Sequence, residues 1–161
     1  MASKYGQYIG VFGANSSLST TDDGYMEDES SEVSMGDPNS KENKLAAMYF
    51  SRIMSMQNSA TLSHRYQQDK KLSTHLALGD FYDGLDGFLD DLVESYQGYY
   101  NVQLPITCTS YKLTEPAKEI REFCDFLCDN RGFCDCSFIQ NQIDEIIQLT
   151  AKTLYKLNFV N

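Results

Sequence analysis

Several features are missing from this 161-residue sequence, and each absence narrows what the chain does. No apolar run approaches the roughly 20 residues that a helix needs to cross a bilayer, which argues against a membrane protein. Residues 1–13 lack the basic region and apolar core of a signal peptide, so we expect a cytoplasmic or virion-packaged protein. Basic residues are also scarce: 13 Lys and Arg stand against 23 Asp and Glu, a formal charge of −10. That charge argues against non-specific binding to DNA or RNA and favours cations or a basic partner.

Residues 1–40 are interpreted as an acidic, serine-rich tail. From residue 15 to residue 43 bulky apolar side chains are almost absent, so burial cannot offset the cost of ordering the backbone, and we expect disorder when the chain is alone. Residues 5–13, YGQYIGVFG, are too apolar for a free tail. Two alternatives remain open for them. They lie on the surface of the domain, or they dock onto another subunit, a viral capsid or another assembly.

The remainder, residues 41–161, predicts an all-α domain. Apolar residues recur at spacings of three and four over about 41–66, 72–98, 114–130 and 137–157, and no strand-like alternation competes. Ser40 and Thr114 are candidate N-caps, and Gly98 is the predicted end of the second helix. That helix has the most regular seam, formed by His75, Leu78, Tyr82, Leu85, Leu89, Leu92 and Tyr96. Four amphipathic helices with a single long loop predict an antiparallel four-helix bundle with an extended N-terminal tail.

Both histidines of the chain, His64 and His75, flank the turn between the first two helices. A turn at residues 67–71 brings them side by side. Asp90 and Glu94 lie one helical turn apart and are spaced to share a cation, although the same pair also suits a solvated acidic face. Fifteen helical residues span about 22 Å, so His75 cannot meet Asp90 around one ion within its own chain. A site that uses all four residues therefore requires a dimer with a twofold axis.

The four candidate ligands stand in the frame H-x10-H-x14-D-x3-E, which resembles the ferroxidase signature of the Dps family, the miniferritins. This resemblance implies a ferritin-like bundle that forms a homo-oligomer, a dimer at least and a dodecamer in that family. It also implies that iron binds between twofold-related subunits and that Fe(II) is oxidised by peroxide. By this resemblance His64 and His75 are ligands from one subunit, and Asp90 and Glu94 are ligands from its partner.

Two differences from the Dps family are visible in the residues. The chain contains no tryptophan, which the family commonly places beside the first histidine. An acidic tail replaces the lysine-rich tail by which some members bind DNA, so direct DNA binding is not expected. Residues 79–98 and 153–157 also resemble uncharacterised ferritin-like proteins of bacteriophages. That second resemblance implies an alternative function, a non-catalytic structural or assembly protein of a virion that uses the bundle as an interaction module.

Four cysteines between residues 124 and 136 form a second candidate site. Cys124, Cys128, Cys134 and Cys136 offer the four thiolates that close a tetrahedral zinc site. Their C-x3-C-x5-C-x-C spacing lacks the paired C-x2-C form, and the first two fall on one helix face as small core residues would. Buried or free thiols are therefore favoured over zinc, and a disulfide is disfavoured in a reducing cytoplasm.

Overall fold

The computed structural model describes residues 34–66 and 71–160, and α-helices make up most of this part of the chain. The helices are α1 (Lys41–Arg65), α2 (Leu72–Tyr100), α3 (Pro116–Asn130) and α4 (Ser137–Phe159), with one 3-10 turn at Arg131–Phe133. The prediction of an all-α four-helix bundle is confirmed. No helix of the described part is both long and apolar enough to cross a membrane. The predicted docking segment and most of the predicted tail, residues 1–33, lie outside the described residues.

Four of the eight predicted helix boundaries match the structure, the starts of α1, α2 and α4 and the end of α3, and the other four differ by one or two residues. Ser40 caps α1 as expected, because its side chain accepts a hydrogen bond from the Asn43 N–H at 3.1 Å. Gly98 does not end α2. The helix continues to Tyr100 and stops where Asn101 takes a left-handed conformation, with φ of 47°. Similarly, α1 ends at residue 65 rather than 66, and α4 continues to residue 159 rather than 157.

The start of α3 was also predicted wrongly. Thr114 does not cap this helix, which begins at Pro116. The side chain of Glu119 reaches back instead, and its Oε1 accepts hydrogen bonds of 2.8 Å from the backbone N–H groups of Thr114 and Glu115. A carboxylate in the first turn also faces the positive end of the helix dipole, which adds to the stability of this start.

Contacts between opposite helix ends fix the direction of each helix. The hydroxyl of Tyr49, early in α1, donates to the carbonyl of Leu127, late in α3, at 3.1 Å. Lys156, late in α4, pairs with Asp80, early in α2, at 2.6 Å. Neighbouring helices are therefore antiparallel, and α2 and α3 run in the same direction. Consequently the connection between α2 and α3 must cross the length of the bundle.

That connection, the crossover segment of residues 101–115, is held to α1 by a row of four serines. We call this row the serine ladder: Ser51, Ser55, Ser59 and Ser63 accept hydrogen bonds from the backbone N–H groups of Thr107 (3.0 Å), Thr109 (3.1 Å), Tyr111 (3.2 Å) and Leu113 (2.7 Å), in that order. Four helical residues rise about 6.0 Å and two extended residues about 6.6 Å, so the two repeats stay nearly in register. The last three serines also donate to the carbonyl one turn earlier in α1, each at 2.7 Å.

The core fills the space between the four helices and follows the predicted seam of α2. Five of the seven seam residues are buried: Leu78, Leu85, Leu89, Leu92 and Tyr96. The other two seam residues, His75 and Tyr82, are only half-buried. Each fully buried side chain of this size contributes roughly 1.5–3 kcal/mol through the hydrophobic effect. Core packing therefore constrains the half-buried end of the α2 seam less than the rest. His75 lies at this end.

Candidate metal centre

The structure brings the two histidines together. His64 is in the last turn of α1 and His75 is in the first turn of α2. Their rings stack with centroids 3.9 Å apart and planes 19° from parallel. Both side chains are half-buried, and Tyr82 meets the His64 ring edge-on at 5.3 Å. The helix packing alone thus places two imidazoles at one end of the bundle.

One hydrogen bond selects the tautomer of the neutral His64 ring. Its Nδ1 lies 2.9 Å from the backbone carbonyl oxygen of His75. A carbonyl oxygen only accepts, so Nδ1 carries the proton and the lone pair of the neutral ring is on Nε2. Metal-ligating histidines are commonly held in this way, with the other ring N–H donated to a carbonyl group. His64 is therefore oriented as a ligand would be.

The absence of a side chain at Gly79 leaves space for this ring. A Cβ built on Gly79 would lie 3.1 Å from Cε1 of His64, a contact tighter than ordinary van der Waals distance. Gly87, two turns later on the same helix, meets nothing within 4 Å. Of the four glycines in α2, only Gly79 would contact the histidine pair through an added Cβ.

The stacked arrangement does not yet chelate an ion. A ring nitrogen binds a metal in the plane of its ring at about 2.0–2.1 Å. The two rings are stacked and nearly parallel, with centroids 3.9 Å apart, so their nitrogens do not point to one common position. His64 is fixed by its bond to the carbonyl, whereas no hydrogen bond joins the His75 ring to any described residue. Binding one ion to both rings therefore requires His75 to rotate.

The carboxylates lie along the exposed side of α2. Asp86, Asp90 and Glu94 are all exposed, and Asp86 accepts a hydrogen bond of 2.8 Å from the side chain of Gln57. Asp86 and Asp90 border a groove of about 370 Å³ between α1 and α2, whose apolar lining includes Met54 and Val93. The groove thus combines acidic side chains with apolar surface on one face of the bundle.

A single chain does not join the histidines to the carboxylates. Helix α2 is continuous from Leu72 to Tyr100, so residues 75 and 90 remain about 22 Å apart along its axis. Among the described residues no three His, Cys, Asp or Glu side chains form a group that could hold a metal ion. The four candidate ligands therefore act together only if a second chain contributes.

The cysteines are free thiols in different surroundings. Cys124 and Cys134 are buried, Cys136 is half-buried and Cys128 is exposed. Burial, with a smaller contribution from the neighbouring Cys128, raises the pKa of the Cys124 thiol. A thiol with a raised pKa supplies less of the thiolate that binds zinc. The described residues thus do not assemble the four-cysteine zinc site that the spacing suggested.

Comparison with protein families identifies a family for this chain. Residues 67–157 match the model of DUF5856, a family of unknown function, over a region that begins three residues after His64 and includes His75, Asp90 and Glu94. No curated protein and no solved structure matches the chain. Because the family model covers more than half of the 161 residues, this protein belongs to the DUF5856 family of unknown function.

Proposed function

We propose that this protein is a Dps-like, ferritin-fold protein that binds Fe(II) between two subunits and oxidises it. In this proposal His64 and His75 of one chain face Asp90 and Glu94 of a second chain across a twofold axis. Mixed histidine and carboxylate ligands suit Fe(II), which is the substrate of the site. The connectivity is compatible, since ferritin-like bundles have one long crossover connection.

The observation that carries this proposal is the histidine pair. His64 donates Nδ1–H to the carbonyl of His75 and so presents Nε2, and the His75 ring lies beside it with no hydrogen bond to a described residue. A pair that served only packing would not need a free ring nitrogen at a half-exposed end of the bundle. Because α2 is continuous, Asp90 lies about 22 Å from His75 of the same chain, so in this proposal Asp90 and Glu94 come from a second chain.

The test is Fe(II) oxidation by peroxide, followed by absorbance, with the full chain. We expect oxidation faster than in buffer, and loss of most of that rate in His75→Ala and Asp90→Ala. Asp83→Ala is the matched control, because Asp83 is an exposed carboxylate of the same helix outside the proposed site. If wild type is no faster than buffer, or if all three variants retain the wild-type rate, the ferroxidase proposal is wrong.

A second candidate is a non-catalytic interaction module, such as a structural or assembly protein of a virion. The observation that favours it is the stacking of the histidine rings, which do not point to a common ion. In that case the rings only pack and hydrogen-bond. Oligomer size distinguishes the two candidates, since a compact dodecamer supports the first and a capsid-bound or monomeric form supports the second.

A further inference from the structure

The crossover segment has a second edge that α1 does not use. In an extended chain, successive residues direct their backbone N–H and C=O groups to opposite sides. Thr107, Thr109, Tyr111 and Leu113 direct their N–H groups to the serine ladder. Cys108, Ser110 and Lys112 consequently direct theirs away from α1, and no hydrogen bond joins these three N–H groups to any described residue. We call these three residues the outer edge.

The outer edge is open to solvent. All side chains from residue 107 to residue 112 are exposed. An exposed extended segment with unpaired N–H and C=O groups is a template for pairing with another extended chain. Thr and Tyr, which favour strands, make up half of these six residues. Pro105 precedes the open stretch, and the N–H of Ile106 is already bonded to the carbonyl of Leu104 at 2.9 Å. Pairing is therefore limited to the three outer-edge residues.

Charge indicates which partner fits. Residues 43–66 and 95–114 contain no Asp or Glu, although the chain has 23 of them. These two stretches make up most of α1 and of the crossover segment, and they form a face whose own charged side chains are cationic, at Lys44, Arg52, Arg65 and Lys112. Two copies of this chain, each with a formal charge of −10, repel each other least through this face.

We propose that the outer edge pairs with the outer edge of a second copy of this chain, antiparallel about a twofold axis at Ser110. In this register Ser110 faces Ser110, and Cys108 faces Lys112 of the partner subunit, so the lysines do not meet. Each outer-edge residue donates one hydrogen bond and accepts one, as in a hydrogen-bonded antiparallel pair. The contact is isologous, so backbone donors and acceptors are complementary by symmetry. The proposed metal interface uses other residues, namely His64, His75, Asp90 and Glu94.

Mixed-chain disulfide formation tests the register. In the proposed pairing Thr109 lies opposite Tyr111 of the partner, a non-hydrogen-bonded pair with Cα atoms about 4.5 Å apart, within the range that a disulfide needs. Two full-length variants are made in a Cys108→Ser/Cys128→Ser background, which removes the two exposed thiols, one with Thr109→Cys and the other with Tyr111→Cys. Under mild oxidation the mixture should give a covalent dimer. Neither variant alone should form a covalent dimer. In this register the Cα atoms of residue 109 in the two chains, and likewise those of residue 111, lie farther apart than the ~7 Å that a disulfide can span.

A second measurement tests the backbone bonds. Ser110→Pro removes the N–H at the axis, whereas Ser110→Ala keeps it. Sedimentation should show that Pro weakens self-association at least tenfold and that Ala leaves it unchanged, with equal thermal stability in both variants. The proposal is overturned if the mixture forms no covalent dimer, or if single variants cross-link as readily as the mixture. The proposal is also overturned if the wild-type chain is a monomer, or if the Ser110→Pro and Ser110→Ala variants self-associate equally strongly.

Discussion

Replacing Ser63 by Ala tests whether the serine ladder holds the crossover segment. The Ser63 hydroxyl accepts from the Leu113 N–H at 2.7 Å, and both residues are fully buried. Alanine leaves that N–H without a partner and without water, which costs about 1–3 kcal/mol. Alanine is also the better helix former, which returns up to about 0.5 kcal/mol. The net expected loss is about 0.5–2.5 kcal/mol.

The matched control is Ser51→Ala at the other end of the ladder. Its bond to the Thr107 N–H is exposed, so water replaces the hydroxyl and the free energy of unfolding should change by less than about 0.5 kcal/mol. Urea unfolding measures both variants. At a slope of about 2 kcal/mol per M, the middle of the typical range, Ser63→Ala should lower the midpoint by roughly 0.3–1.2 M with no change in slope. Equal midpoints for the two variants would refute the ladder as a stabilising contact.

Two further predictions concern tyrosine ionisation and the glycines of α2. Burial, with a smaller contribution from Cys134, raises the pKa of Tyr96 from 10.0 to about 12. The unfolded chain then loses a proton that the folded chain retains, so stability should fall as pH rises from about 10 to about 12, with a shallower slope in Tyr96→Phe by urea titration. Gly87→Ala should stabilise the fold by up to about 1 kcal/mol, because a Cβ meets nothing there. Gly79→Ala should gain less and shift the His64 ring resonances in NMR spectra, and identical behaviour of the two alanine variants would contradict the contact.

Much of the fold follows from the spacing of apolar residues. The three- and four-residue intervals in α2 indicate its length and its buried side because a helix must bury one stripe of its surface. The ends are less predictable. Gly98 has the residue type of a helix end, yet α2 continues until Asn101 adopts the left-handed conformation. A cap depends on backbone geometry, and several residue types near the end satisfy it.

The serine ladder was not predicted, although its signal is visible in the sequence. Four serines recur at intervals of four residues along α1, but serine is usually found facing solvent or capping a helix, so the pattern does not by itself indicate a buried contact. Their role depends on an extended segment some 50 residues later, which local periodicity does not report. The N–H groups of every second residue in this segment come within hydrogen-bonding distance of the serines only after the bundle has formed.

The candidate site was predicted in part. The short connection between α1 and α2 indicates that His64 and His75 approach each other, and their rings stack. The bond from His64 Nδ1 to the carbonyl of His75 was not predictable, because it depends on ring orientation. The role of Asp90 and Glu94 stays a prediction, since it requires a second chain.

Complementation between two inactive variants tests the central claim most directly. His75→Ala keeps the carboxylates, and the double variant Asp90→Ala/Glu94→Ala keeps the histidines. If each site joins histidines of one chain to carboxylates of the other, half of the dimers in an equal mixture are mixed and each contains one intact site of two. Unfolding and refolding the two variants together should therefore restore about one quarter of the wild-type rate of Fe(II) oxidation. A mixture that remains as inactive as its components would contradict a metal site shared between two chains.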